Sequence, residues 1–180
     1  EGAEFVEKRL RLGLERDGDR AELEAGFTPG WGWGSEAAVD LDVRMPARLA
    51  LVIDDGSGPI TVDAVSGAVR IDDGSGPIEL RNPGDVDIDD GSGSIRLENA
   101  GAVNIEDGSG SITIVGASGD VYVEDGSGSI DIRGVRGSVT VDDGSGDIEI
   151  DDVERDLIIE EEGSGSLRST NVRGTVRQRD

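Results

Sequence analysis

Residues 121–143 read VYVEDGSGSIDIRGVRGSVTVDD, and this stretch contains the unit that decides the fold. Val121 and Val123 stand two apart before a Glu124-Asp125-Gly126-Ser127-Gly128 turn, and Ile130 and Ile132 stand two apart after it. Gly137 follows, and Val139, Val141 and the Asp142-Asp143 pair then begin the same pattern again. Strict alternation of β-branched residues predicts strands with one buried face, and Asp-Gly and Gly-Ser steps predict tight turns between them.

The same unit runs along most of the chain. Aligned on the first glycine of Gly-Ser-Gly, its copies fall at Gly56, Gly74, Gly91, Gly108, Gly126, Gly144 and Gly163, separated by 18, 17, 17, 18, 18 and 19 residues. Aliphatic pairs keep step with them, from Ile60 and Val62 to Ile148 and Ile150 after the turn, and from Val69 and Ile71 to Leu157 and Ile159 before the next one. Nearly constant spacing favours coils that stack in parallel over an antiparallel meander, because each side chain then lies on its own counterpart one coil away. The expected fold is all-β: a single-domain β-helix, or β-solenoid, of about eight coils with repeats of 17–19 residues spaced about 4.8 Å apart.

The ends depart from the repeat. Residues 38–180 form the expected solenoid body, with Leu41, Val43, Leu49, Leu51 and Ile53 as an atypical first coil bent at Pro46. Residues 1–37 are expected to be an N-terminal β cap. Leu10, Leu12 and Leu14 alternate before Asp17-Gly18, and Ala21, Leu23 and Ala25 alternate after it, as in a β-hairpin, and a Gly- and Trp-containing loop follows. At the other end Leu167 and Val176 open a last coil with no evident cap.

Composition constrains function more than it assigns it. Only 34% of residues are hydrophobic and the net charge is −23, values that suggest disorder unless the apolar residues recur in register, as they do here. The charge is concentrated in the repeats: residues 54–162 hold 28 acids and 6 arginines, whereas residues 163–180 carry four arginines and one acid. So acidic a body disfavours nucleic acid and anionic membranes as partners and favours cations or basic surfaces. No apolar run approaches the roughly 20 residues that span a bilayer. The chain has no Cys and no His, which removes disulfides, thiolate metal sites and the commonest general base.

The Gly-Ser-Gly-x-Ile units, the glycines between paired strands and the Val43-Arg44-Met45-Pro46 lead-in resemble the bacterial adhesin-like family of β-helical Gly-Ser-Gly repeat domains, over roughly residues 37 to 178. That resemblance implies an exported or membrane-associated protein and carries over no catalytic residue. Bactofilins, polymerising β-helices of similar coil length, are a second comparison, but their repeats lack the acidic turn. The expected location is the cell surface or beyond, with a signal peptide removed before Glu1.

Stacking converts the acidic pairs into two carboxylate ladders: Asp54, Asp72, Asp89, Glu106, Glu124, Asp142 and Glu161 in one, Asp55, Asp73, Asp90, Asp107, Asp125, Asp143 and Glu162 in the other. Hard divalent cations, calcium first, could sit between carboxylates of successive coils; the same acids could equally serve only as soluble turn chemistry. No cofactor is required on either reading. The serine column from Ser57 to Ser164 reads as a structural hydroxyl ladder, since no His stands ready to activate it. A phosphate loop would need a following helix and a Lys, and neither follows these turns. Trp31 and Trp33 are read either as packing in the N-terminal cap or as a contact patch for sugar or another subunit. Arg168, Arg173, Val176, Arg177 and Arg179 form either a solvated terminal coil or half of an interface.

The expected function is therefore not enzymatic. It is a secreted or surface structural solenoid that associates with itself head to tail into filaments, with possible cation reinforcement. The alternative is an adhesin-like binding module for polysaccharide or a basic protein. A polysaccharide lyase would need long loops to build a cleft, and these coils differ by at most two residues. The outward positions Thr61, Glu79, Arg96, Thr113, Asp131 and Glu149 form no regular threonine array for binding ice.

Overall fold

A computed structural model of the chain describes residues 10–18, 20–27, 39–161 and 163–179. The described residues contain strands, turns and irregular segments but no α-helix, and the chain divides into two compact units, Glu1–Arg44 and Met45–Asp180.

In the first unit β1 (Leu10–Asp17) and β2 (Arg20–Phe27) form the expected antiparallel hairpin, in register from Leu10↔Phe27 to Asp17↔Arg20. Gly18 in the connection takes a φ of 60°, a conformation that glycine adopts without strain. Trp31 and Trp33, and with them the expected Gly- and Trp-containing loop, lie outside the described residues.

The second unit is the solenoid. One parallel sheet is built from β3 (Leu51–Asp55), β5 (Val69–Asp73), β7 (Val86–Asp90), β9 (Val103–Asp107), β11 (Val121–Asp125), β13 (Val139–Asp143), β15 (Leu157–Glu161) and β17 (Val176–Gln178). The other is built from β4 (Ile60–Asp63), β6 (Ile78–Arg81), β8 (Gly93–Ala100), β10 (Gly110–Ala117), β12 (Gly128–Val135), β14 (Ile148–Val153) and β16 (Leu167–Val172). Successive strands of the chain alternate between the sheets, and within each sheet every strand pairs with its counterpart one coil away. Seven complete coils and an eighth half-coil result among the described residues. The pairing is residue on equivalent residue, as in Ile95↔Ile112↔Ile130↔Ile148.

Two aliphatic columns from each sheet meet between them. Ile105, Ile112, Ile114, Ile132, Val139 and Val141 are all fully enclosed, so the expected inward register holds along the body. A further inward column comes at the end of the second sheet, beyond its alternating run: Val65, Ala100, Ala117, Val135 and Val153, with Pro83 at the equivalent place. In all seven coils the residue just before that position has positive φ: Ala64, Asn82, Asn99, Gly116, Gly134, Asp152 and, before Val172, Asn171 occupy this corner. Asn and Gly tolerate the left-handed region well, and Asn99 also donates through Nδ2 to Oδ1 of Asn82 at 3.1 Å.

The first coil begins later than the repeat suggests. Leu41 and Val43 lie in no strand and are about half exposed, at 52% and 58%. The backbone N–H groups of Ser66 and Gly67 both donate to the carbonyl of Ala47, so the coil-to-coil bonding starts at that residue and only Leu51 and Ile53 join a strand. At the other end the inward pattern turns polar. In the last described coil Ser169 pairs with Ile150 and Gln178 with Ile159, so two of the inward columns pass to polar groups, whereas Leu167, Val172 and Val176 continue the other three.

Candidate functional site

The acidic Gly-Ser-Gly corner is where the repeat is densest in charge, and strand alternation decides what its two carboxylates do. Neighbouring residues of a strand face opposite sides of the sheet. The first acid of each pair therefore points outward: Asp54, Asp72, Asp89, Glu106, Glu124 and Glu161 are exposed and Asp142 is half-buried. The second points inward with the aliphatics, and Asp73, Asp90, Asp107, Asp125 and Asp143 are only 3%, 2%, 5%, 2% and 0% exposed. Asp55, at the start of this inner column, is half-buried, and Glu162 lies outside the described residues.

Both columns are in register. The outward one pairs Asp54↔Asp72↔Asp89↔Glu106↔Glu124↔Asp142, and a bulge after Val141 brings Glu161 opposite Asp142. The inward one pairs Asp55↔Asp73↔Asp90↔Asp107↔Asp125↔Asp143. Each expected ladder thus exists as a ladder, but the two members of a pair diverge rather than converge. Among the described residues no three acidic groups come together as a set able to hold a metal ion.

The inner aspartates brace the turn. Oδ1 of Asp90, Asp107, Asp125 and Asp143 accepts the backbone N–H of the serine two residues on, at 3.2, 3.1, 3.0 and 3.1 Å. This is the local side-chain-to-backbone bond that fixes Asp-Gly-Ser turns. The turn backbone is bonded from coil to coil as well: Gly108 N–H donates to the Asp90 carbonyl at 2.9 Å and Gly110 N–H to the Ser127 carbonyl at 2.9 Å. The serine column is accordingly a structural part of the ladder.

The other carboxylate oxygen is left over. Oδ2 of Asp73, Asp90, Asp107, Asp125 and Asp143 is buried with no hydrogen-bond partner, and Asp73 leaves Oδ1 unpartnered too. Burial, with the facing carboxylates of Asp107 and Asp73, pushes the Asp90 carboxyl up to about 6 against the Ser92 N–H that pulls it down. Burial, with Asp107 and Asp143, likewise pushes Asp125 up to about 6. Asp73, Asp107 and Asp143 are also raised, burial being the largest cause in each. Two unit charges about 4.8 Å apart repel by about 3.5 kcal/mol at an effective dielectric of about 20, so a fully ionised inner column would be severely strained.

The terminal residues are placed as follows. Arg173 lies 3.7 Å from Glu154 and Arg179 lies 2.8 Å from Glu160, so both are held within the chain. Arg168 in β16 and Arg177 in β17 are exposed and have no ion-pair partner among the described residues. Val176 is half exposed at 51%. No helix among the described residues is long and apolar enough to cross a membrane.

Sequence reasoning found both acidic columns and missed that one of them is interior. The signal was there: in Val139-x-Val141-x-Asp143 the second acid shares the parity of the aliphatics.

Fold and corner together define an acidic, two-sheeted parallel β-solenoid with an internal aspartate column. No protein-family model, curated protein or solved structure matches the chain.

Proposed function

We propose that this protein is a structural solenoid that associates with itself head to tail by continuing its parallel sheets from one copy into the next. The observation that carries the reading is that, among the described residues, the two sheets finish on unlike edges: β16 and β17 at one end of the body, and β4 and β3 at the other. An unpaired parallel edge is a template for another strand. Continuing the existing register would lay β17 on β3 and β16 on β4 of a second copy, bringing Arg179 beside Asp54 and Arg168 beside Thr61. The arginine-bearing edge thereby meets an acidic body, and a contact between unlike surfaces grows as a filament unless it closes into a ring. Ser169 and Gln178 in the last coil limit the apolar gain, so the association is expected to be weak and concentration-dependent. Placement outside the cell or on its surface, and the absence of catalysis, belong to the same proposal and are supported by the resemblance of the repeats to adhesin-like domains.

Light scattering and negative-stain imaging over a range of concentrations, with and without calcium, test it. Elongated species should appear as concentration rises. Replacing Arg168 and Arg177 with Glu should suppress them while leaving the β-rich circular dichroism of the monomer unchanged. A protein that stays monomeric at the highest concentration in both buffers contradicts the proposal.

A further inference from the structure

The inner aspartate column is a row of ionisable groups placed where charges are seldom left. Asp73, Asp90, Asp107, Asp125 and Asp143 stack in register inside the solenoid, at most 5% exposed, each with Oδ2 buried and unpartnered. The charged groups that face them are other carboxylates: their neighbours in the column, Asp55 at its start, and Asp72 and Asp142 on their own strands. None of the arginine ion pairs among the described residues reaches this column. Buried carboxylates without cationic partners must be neutralised.

Calcium fits the space poorly. It takes 6–8 oxygen ligands, whereas the gap between two coils offers one unengaged carboxylate oxygen from each, or two from Asp73, and the Asp and Ser carbonyls of the turn already accept Gly N–H groups. A proton fits well, because a protonated Oδ2 becomes a donor to the carboxylate of the next coil, as in carboxyl pairs that share one proton.

We propose that the inner aspartates form a shared-proton column, so that the solenoid takes up protons as it folds and is tightened by mild acid. A carboxyl raised in the folded state above its unfolded value of about 3.9 binds more protons folded than unfolded. Its stabilising contribution is complete below about pH 4 and is lost as pH rises through the folded value, about 6 for Asp90 and Asp125. Each of those two groups then changes the folded-to-unfolded ratio by about 100-fold across that window.

The test is urea unfolding of the full chain between about pH 4 and pH 8, comparing the wild type with an Asp90→Asn/Asp125→Asn variant and an outward Asp89→Asn/Glu124→Gln variant that removes the same charge. The wild-type midpoint should fall as pH rises. The inner variant, whose amides can donate as a protonated carboxyl does, should be the more stable protein at the alkaline end and should have a flattened pH profile; the outward variant should keep the wild-type slope. Equal flattening by both variants would assign the effect to overall charge and overturn the proposal, as would an inner variant that is weaker at every pH with its slope intact. Carbon-13 NMR of the wild-type carboxyls gives a reading independent of any variant: the inner aspartates should titrate above the ordinary carboxylate value of about 3.9, and titration of the whole column at that value contradicts it. Calcium set against chelator at about pH 8 distinguishes the remaining neutraliser. Calcium stabilisation that disappears in the inner variant would make the column a metal site and overturn the shared proton.

Discussion

Ile112→Asp is expected to abolish cooperative unfolding of the solenoid, whereas Thr113→Asp, one residue along, leaves it nearly intact. Ile112 is fully enclosed and is stacked between Ile95 and Ile130 in the second sheet. Removing a buried aliphatic of this size costs about 2–5 kcal/mol, and an unpaired carboxylate left in its place adds several more. Domains of this size have about 5–15 kcal/mol in total, so one such change uses most of it. Because each coil touches only its neighbours, the break also separates the coils on either side of it. Thr113 faces outward between Arg96 and Asp131, and a carboxylate there gains one charged neighbour and is opposed by another, a change within about 1 kcal/mol. Circular dichroism melts of the two variants check the register, and equal melting temperatures would contradict it.

Gly128→Ala is the second large effect, and it acts through the backbone alone. A Cβ at Gly128, where φ is 154°, would lie 1.4 Å from the carbonyl oxygen of Gly110 in the coil below. No rotamer relieves a clash with backbone, so the coils must part, straining the bond from Gly128 N–H to the Ser145 carbonyl, now 2.9 Å. A loss of roughly 3 kcal/mol or more is expected, in the range of severe backbone strain. Gly56→Ala is the control, at the first glycine of the first coil's Gly-Ser-Gly turn, where an added Cβ meets nothing within 4 Å. It should change stability by no more than about 0.5 kcal/mol. Calorimetric melts of both variants measure the difference; similar values would show that the turns do not stack as closely as described.

These two substitutions also mark what could be read from the repeat. The inward Ile and Val columns were legible because alternation is a strong signal, and the parallel stacking followed from the constant spacing of the Gly-Ser-Gly turns. The column from Val65 to Val153 was not, since a single inward residue set off from the strand's alternation by a positive-φ neighbour has no period along the strand. Its companions Asn82 and Asn99 read as ordinary polar turn residues until their positive φ placed them at a corner. Leu41 and Val43 carried the right alternation without a partner coil to bond to, and pattern alone does not supply one. The inner aspartates were the most consequential omission. A carboxylate is assigned to solvent by default, and only the parity of Asp143 with Val139 and Val141, weighed against that default, would have put the column inside.

The in-register parallel stack underlies the edges, the columns and the proton sharing alike, and a distance measures it directly. Thr61 and Glu149 are exposed positions joined by five coil-to-coil steps through Glu79, Arg96, Thr113 and Asp131. The chain has no native Cys, so a Thr61→Cys/Glu149→Cys variant takes spin labels only at those two sites. Pulsed electron resonance should then report a mean separation near 24 Å, five spacings of about 4.8 Å. An antiparallel meander of the same units would set equivalent strands two spacings apart and place the labels near 48 Å, a result that would contradict the solenoid.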